Sequence, residues 1–204
     1  MKLDPQYYKP PTSIFDKLKT NNVVNVTNIQ NYLPIYNLLF KINDTNYNSI
    51  NLKDDIYIGE FNKKHTDNTY TVTLSNNETK DIFIKYSPLL DPSKYLIGKY
   101  DILDTVSLPK FNQSPHTNKD VDHKLNNPYN SSYVDGFFSY LSSHLARHHN
   151  FNNGILFYGN YLGNKSDFRY NLDEDIMYVH NSEFFNKHLN KLFTLDEEYK
   201  DLFS

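Results

Sequence analysis

The sequence predicts an α+β fold: an antiparallel sheet of about five strands, one main helix packed on it, and an N-terminal arm. Three observations carry this. Tyr70, Val72 and Leu74 alternate with Thr69, Thr71 and Thr73, the two-residue period of a strand. Ser75-Asn76-Asn77 is turn chemistry, so Asp81-Ile82-Phe83-Ile84-Lys85 reads as the returning strand of a hairpin. Val134, Phe137, Phe138, Leu141 and Leu145 fall at i, i+3, i+4, i+7 and i+11, one apolar stripe on a helix over Tyr133–His149.

The remaining elements follow in chain order. Residues 1–50 read as an arm with short helices. Pro5, Pro10 and Pro11 limit regular structure, Ser13 to Leu18 suits one amphipathic turn, and Leu33–Lys41 suits a short helix. Residues 51–195 form the main domain, which opens with a strand around Ile56-Tyr57-Ile58 ended by Gly59. Asp91-Pro92-Ser93-Lys94 is a helix start with proline in the first turn. Residues 108–132 are rich in Pro, Asn, His and Lys and read as a long exposed loop. Ser132 with Asp135 resembles a capping box, and Arg147, His148 and His149 suit a helix C-terminus. Ile155-Leu156-Phe157-Tyr158 reads as a buried strand, Phe168-Arg169-Tyr170 as the start of the next, and Ile176–Val179 as a further apolar run. Ser182–Phe193 reads as a short helix with Phe184, Phe185, His188, Leu189 and Leu192 inward, and residues 196–204 as a tail.

Composition bounds the function. The 204 residues include 28 Asn, a single Ala (Ala146) and two Arg, a skew that A/T-rich codons explain without selection for polar chemistry. A lone Asn therefore carries little information. Aromatics reach 16% with no Trp, which predicts a core of Phe, Tyr, Ile and Leu. Net charge is −3 and the lysines are scattered, so nothing predicts nucleic-acid binding. Cysteine is absent, which excludes disulfides and thiolate metal sites. Residues 1–8 are polar and no apolar run approaches the ~18 residues of a span, so neither secretion nor a membrane partner is expected.

Lys85 is the leading candidate for chemistry. A lysine among apolar strand residues must reach water, a carboxylate or a phosphate, so it is either an edge solubiliser or a positioned cation. His144 and His148 are spaced i, i+4, a zinc-compatible spacing, but a third ligand is not evident and helix-end solvation accounts for them. Asp173-Glu174-Asp175 suits a hard cation or, more simply, a solvated acidic turn. No nucleophile elbow or phosphate-cradling glycine loop is present.

In protein kinases the third strand carries Val-Ala-Ile-Lys, and a helix carboxylate pairs with that lysine. Ile82-Phe83-Ile84-Lys85 followed by the Tyr133–His149 helix fits that order. Longer stretches are more specific: Ile84 to Pro92, Lys94 to Tyr100, Tyr133 to Ser143, and Phe157 to Gly163. Over residues 80–195 the chain resembles a protein-kinase-like family of large DNA viruses, in the amino-terminal-lobe region only. The resemblance implies an N-lobe-like α+β domain with Lys85, Phe83 and Asp135 as the nucleotide-site residues; no cofactor is expected, ATP with Mg being the ligand the family would suggest. It also implies a separately placed carboxy-terminal lobe as partner, and a location in the host cytoplasm, at the viral factory, or in the virion.

The departures from that pattern are informative. Gly59 is the only glycine before Lys85, so no glycine-rich loop exists. No Glu occurs between Glu78 and Glu174, so the helix does not supply the usual carboxylate partner, and Asp135, near the helix start and one methylene shorter, is a poor substitute. Phe83 stands where a small residue normally lies against adenine, and its ring is expected to fill the nucleotide pocket. Neither a His-Arg-Asp nor an Asp-Phe-Gly motif is present, and no residue is assigned a catalytic or metal-binding role. The expectation is a truncated or degenerate kinase-like module without phosphotransfer of its own. The alternative is a non-enzymatic viral interaction protein or virion component, with the 108–132 loop and the arm as its surface.

Overall fold

A computed structural model describes residues 23–48, 52, 56–112 and 114–200. The fold is α+β, and among the described residues five strands, all paired antiparallel, divide into two sheets. Strands β2 (Ile58–Lys64), β3 (Thr69–Leu74) and β4 (Thr79–Phe83) form a meander in that order. Tyr70, Val72 and Leu74 are buried, as the alternation requires. Tyr70 stands opposite Ile82 and Val72 opposite Lys80. Asn77 closes the β3–β4 turn with φ 65°, a left-handed conformation that Asn tolerates. Gly59 lies inside β2 instead of ending a strand. The pairing slips between Ile58 and Glu60, and a Cβ on Gly59 would sit 3.3 Å from the Thr73 carbonyl oxygen. An irregularity of this kind is where a strand glycine belongs.

The second sheet pairs β1 (Val26–Gln30) with β5 (Leu162–Lys165), with Val26 opposite Lys165. Residues 23–48 are therefore part of the packed domain. Leu33, Ile35 and Tyr36, around a 3-10 turn at Pro34–Leu38, are buried in a cluster with Tyr133. The amphipathic turn expected at residues 13–18 lies outside the described residues.

The buried strand expected at Ile155–Tyr158 does not form. Ser143 Oγ accepts the Phe157 N–H at 3.0 Å, so a side chain takes the place of a ladder partner. Phe157 is buried while Ile155 and Leu156 are exposed. Phe168–Tyr170 is likewise not a strand. The apolar run at 176–179 forms a short helix.

Seven α-helices are described: α1 (Pro92–Leu96), α2 (Ile102–Thr105), α3 (Lys119–Asn126), α4 (Ser131–His148), α5 (Ile176–His180), α6 (Glu183–His188) and α7 (Glu197–Lys200). Asp91 caps α1 by accepting from the Ser93 N–H, as the sequence indicates. Helix α3 lies within the expected loop. Asn118 caps it, and Val121 and Leu125 are fully buried, so two apolar residues in a polar stretch suffice to dock one face.

The main helix is α4, 18 residues long. Its cap is Asn130, which accepts from the Ser132 N–H, and not a Ser132–Asp135 box. Its buried side also differs from the expected stripe. Tyr133 and Ser143 are buried, and Phe137 and Tyr140 pack on the Leu33–Tyr36 cluster. Val134, Phe138 and Leu145 face outward, Phe138 with 69% of its surface exposed. Tyr133 takes an inward position where its hydroxyl has a partner: Tyr133 OH donates to the Leu125 carbonyl oxygen at 2.8 Å. Helix α6 stops well short of Phe193, because the chain turns at Asn190 with φ 61°. Phe185 and Phe193 still meet, stacked at 5.3 Å between centroids.

Candidate functional site

The meander and α4 belong to different apolar clusters. Between them opens a cavity of about 1060 Å3, which β5 and the 155–161 segment also line. Mostly apolar walls with a few polar groups are the usual character of a ligand site.

Lys85 stands at this cavity. It lies just past the end of β4, and β4 is an edge strand, so the lysine is not in mid-sheet. Asn68 prolongs the edge by two bonds. Its carbonyl accepts the Ile84 N–H at 2.7 Å, and its side-chain amide donates to the Ile84 carbonyl at 2.8 Å. The chain leaving the sheet is thereby directed toward α4. Lys85 Nζ then reaches Asp135 Oδ2 at 2.9 Å. Their side chains are 63% and 48% exposed, so the pair sits at the cavity rim in contact with water.

Polar bonds continue this seam. Ser87 Oγ donates to Ser132 Oγ at 3.0 Å, and Ser132 Oγ donates to the Pro88 carbonyl oxygen at 3.0 Å. Three polar side-chain contacts thus tie the segment after β4 to the first two turns of α4. The sequence named both Lys85 and Asp135, with Asp135 as a poor partner, and missed Asn68, Ser87 and Ser132 as site residues; the abundance of Asn in this chain hides Asn68.

Phe83 is placed differently from the expectation. It pairs with Thr69 on the face of β4 opposite the buried Ile82, and it is 67% exposed. Its ring borders the cavity and does not fill it.

Two further features of the walls escaped the sequence reading. Gly136, within α4, faces Asn160, and a Cβ there would collide with the Asn160 side-chain amide. An isolated glycine inside a helical pattern was the available signal for a close approach. Lys165 at the end of β5 places Nζ 5.3 Å from the centre of the Tyr86 ring and donates to the Ser166 carbonyl oxygen at 2.8 Å. Burial pushes its pKa below the ordinary lysine value, and the Lys64 ammonium adds to that. Burial also raises the Tyr161 hydroxyl, to about 12, and raises Tyr86, which is further held by its bond with Tyr70.

The other candidates separate. His144 and His148 have ring centroids 4.5 Å apart, yet among the described residues no group of three or more His, Cys, Asp or Glu converges as a metal site. In the 173–175 run, Asp173 accepts from Tyr199 OH at 2.6 Å, while Asp175 accepts from Ser93 Oγ at 2.5 Å and Tyr170 OH at 2.6 Å. These carboxylates point to different partners and act as tertiary ties. Among the described residues no helix is long and apolar enough to cross a membrane.

Comparisons with protein-family models, with curated proteins and with solved structures found no match.

Proposed function

We propose that this chain is a viral protein-kinase-like module of the amino-terminal-lobe type, which contacts a nucleotide weakly and does not transfer phosphate by itself. One observation carries the reading. The lysine that follows the third strand of an antiparallel meander pairs at 2.9 Å with a carboxylate on the long helix that comes later in the chain, at the mouth of a cavity. A cation so placed can hold a phosphate oxygen as a point charge. The cavity volume is ample for a nucleotide.

The residues fit a phosphate contact and do not fit a magnesium site. Asp135 is committed to Lys85, and no carboxylate cluster of metal-binding kind occurs among the described residues. Phosphoryl transfer needs metal and base positions in place, and the 204 residues contain neither characteristic motif. The seam residues therefore bind and orient; no step of bond cleavage is assigned to them. Titration calorimetry with ATP tests the reading: a weak affinity that Lys85→Ala lowers supports it, and no detectable heat removes it.

A second reading, a non-enzymatic interaction or virion protein, is favoured by the outward apolar side of α4, where Val134, Phe138 and Leu145 are exposed. Proteomics of purified particles tests this one: the chain found at structural copy number supports it, and its absence from particles removes the virion role.

A further inference from the structure

Two lysines line the cavity among the described residues, Lys85 and Lys165. They differ in what opposes them. Lys85 is already matched by Asp135 at 2.9 Å. Lys165 has no carboxylate within ion-pair distance among the described residues. Of the carboxylates in its surroundings, Asp67 is held by Lys64 at 2.7 Å, and Asp167 is exposed and pairs with neither lysine. The Lys165 ammonium is flanked by the Tyr86 ring and uses one donor on the Ser166 carbonyl oxygen, which leaves two donors free. A partly buried cation with unused donors in an apolar wall attracts an anion more strongly than a paired, exposed one.

We propose that Lys165 is the first anion contact of this cavity, and that Lys85 is a second contact which must leave Asp135 to engage. The ligand class is a phosphorylated molecule, with its negative groups on the Lys165 side. This takes its ligand class from the reading of the cavity as a nucleotide site, but it assigns the leading role to a different residue. The lowered pKa of Lys165 agrees with its desolvation.

The test uses the full chain with two probes, ATP and inorganic tripolyphosphate, each without added metal. Charge-assisted hydrogen bonds of this kind imply that Lys165→Met weakens both probes by about 10-fold, and Lys85→Met by about 3-fold. Asp135→Asn, which releases Lys85, tightens both. Binding by Lys165→Met equal to that of the unaltered chain overturns the proposal. Should Lys165→Met not fold, reductive 13C-methylation of the unaltered chain replaces it, with the resonance assigned from Lys165→Arg. The Lys165 signal then shifts at lower tripolyphosphate concentration than the Lys85 signal, and the reverse order overturns the proposal. The outcomes separate the two readings. Binding lost on Lys85→Met alone leaves the kinase-like reading standing and removes this one. Binding lost on Lys165→Met and unchanged by Lys85→Met removes the kinase-like reading and the second-contact role of Lys85, and upholds Lys165 as the anion contact. Absence of binding by either probe removes both.

Discussion

Lys85 Nζ and Asp135 Oδ2 lie 2.9 Å apart and join residues 50 positions distant in the chain across the rim of the cavity. The bond connects the exit of β4 to the second turn of α4, two elements whose apolar faces pack in separate clusters. Because both side chains are largely in water, the pair contributes little to stability. A double-mutant cycle with Lys85→Ala and Asp135→Ala is expected to give a coupling of about 0.2–1 kcal/mol. Chemical denaturation measures it, and a coupling several times larger would mean that the pair is a structural clamp and not a poised site.

Helix α3 is a docked element, held by two side chains. Leu125→Ala removes a fully buried side chain beside Val121 and Tyr100 and is expected to cost about 2–5 kcal/mol. Denaturant midpoints check this. A cost near zero would mean that residues 119–126 behave as the exposed loop their composition suggests.

Gly98 closes α1 with φ 77°, and a Cβ there would meet the ring of Phe184 at 2.6 Å. Strain and overlap act in the same direction, so Gly98→Ala is expected to cost about 1–3 kcal/mol. Thermal melting of Gly98→Ala beside the unaltered chain reads it out. Equal melting temperatures would mean that α1 and α6 are not packed in this way.

The Ser93 and Tyr170 hydroxyls hold the Asp175 carboxyl below its ordinary value of 3.8. A carboxylate whose pKa is depressed by folding stabilises the folded chain above that ordinary value. The contribution is lost as pH falls through the lower, folded value. The stability lead of the unaltered chain over Asp175→Asn is therefore expected to be full at pH 7 and to shrink in acid below about pH 4. Melting curves at pH 7 and pH 2.5 compare the two, and a lead that grows in acid would contradict the assignment.

Much of the fold was legible in the sequence wherever short-range pattern decided the outcome. The Thr-alternating strand, its Asn turn, the Asp91 cap and the long helix are local events, and each is present. The pairing of Lys85 with Asp135 was only partly legible: the helix was expected to face the lysine, but Asp135, near the helix start and one methylene shorter than Glu, read as a poor partner. Long-range choices were not. Nothing local tells that Val26–Gln30 pairs with Leu162–Lys165, and this pairing splits the strands into two sheets. Ile155–Tyr158 has strand composition, but a serine hydroxyl satisfies Phe157 where a strand partner was expected. The buried side of α4 was misjudged because Tyr133 and Tyr140 compete with Val134 and Phe138 for the core, and Tyr133 is buried with its hydroxyl bonded to the Leu125 carbonyl oxygen.

Titration calorimetry of the full chain with ATP, alone and after Lys85→Ala, tests the central claim most directly. Weak binding is expected, loosened about 3-fold by the substitution, with no ADP formed on prolonged incubation. Affinity that Lys85→Ala leaves untouched, or turnover of ATP by the purified chain, would contradict it.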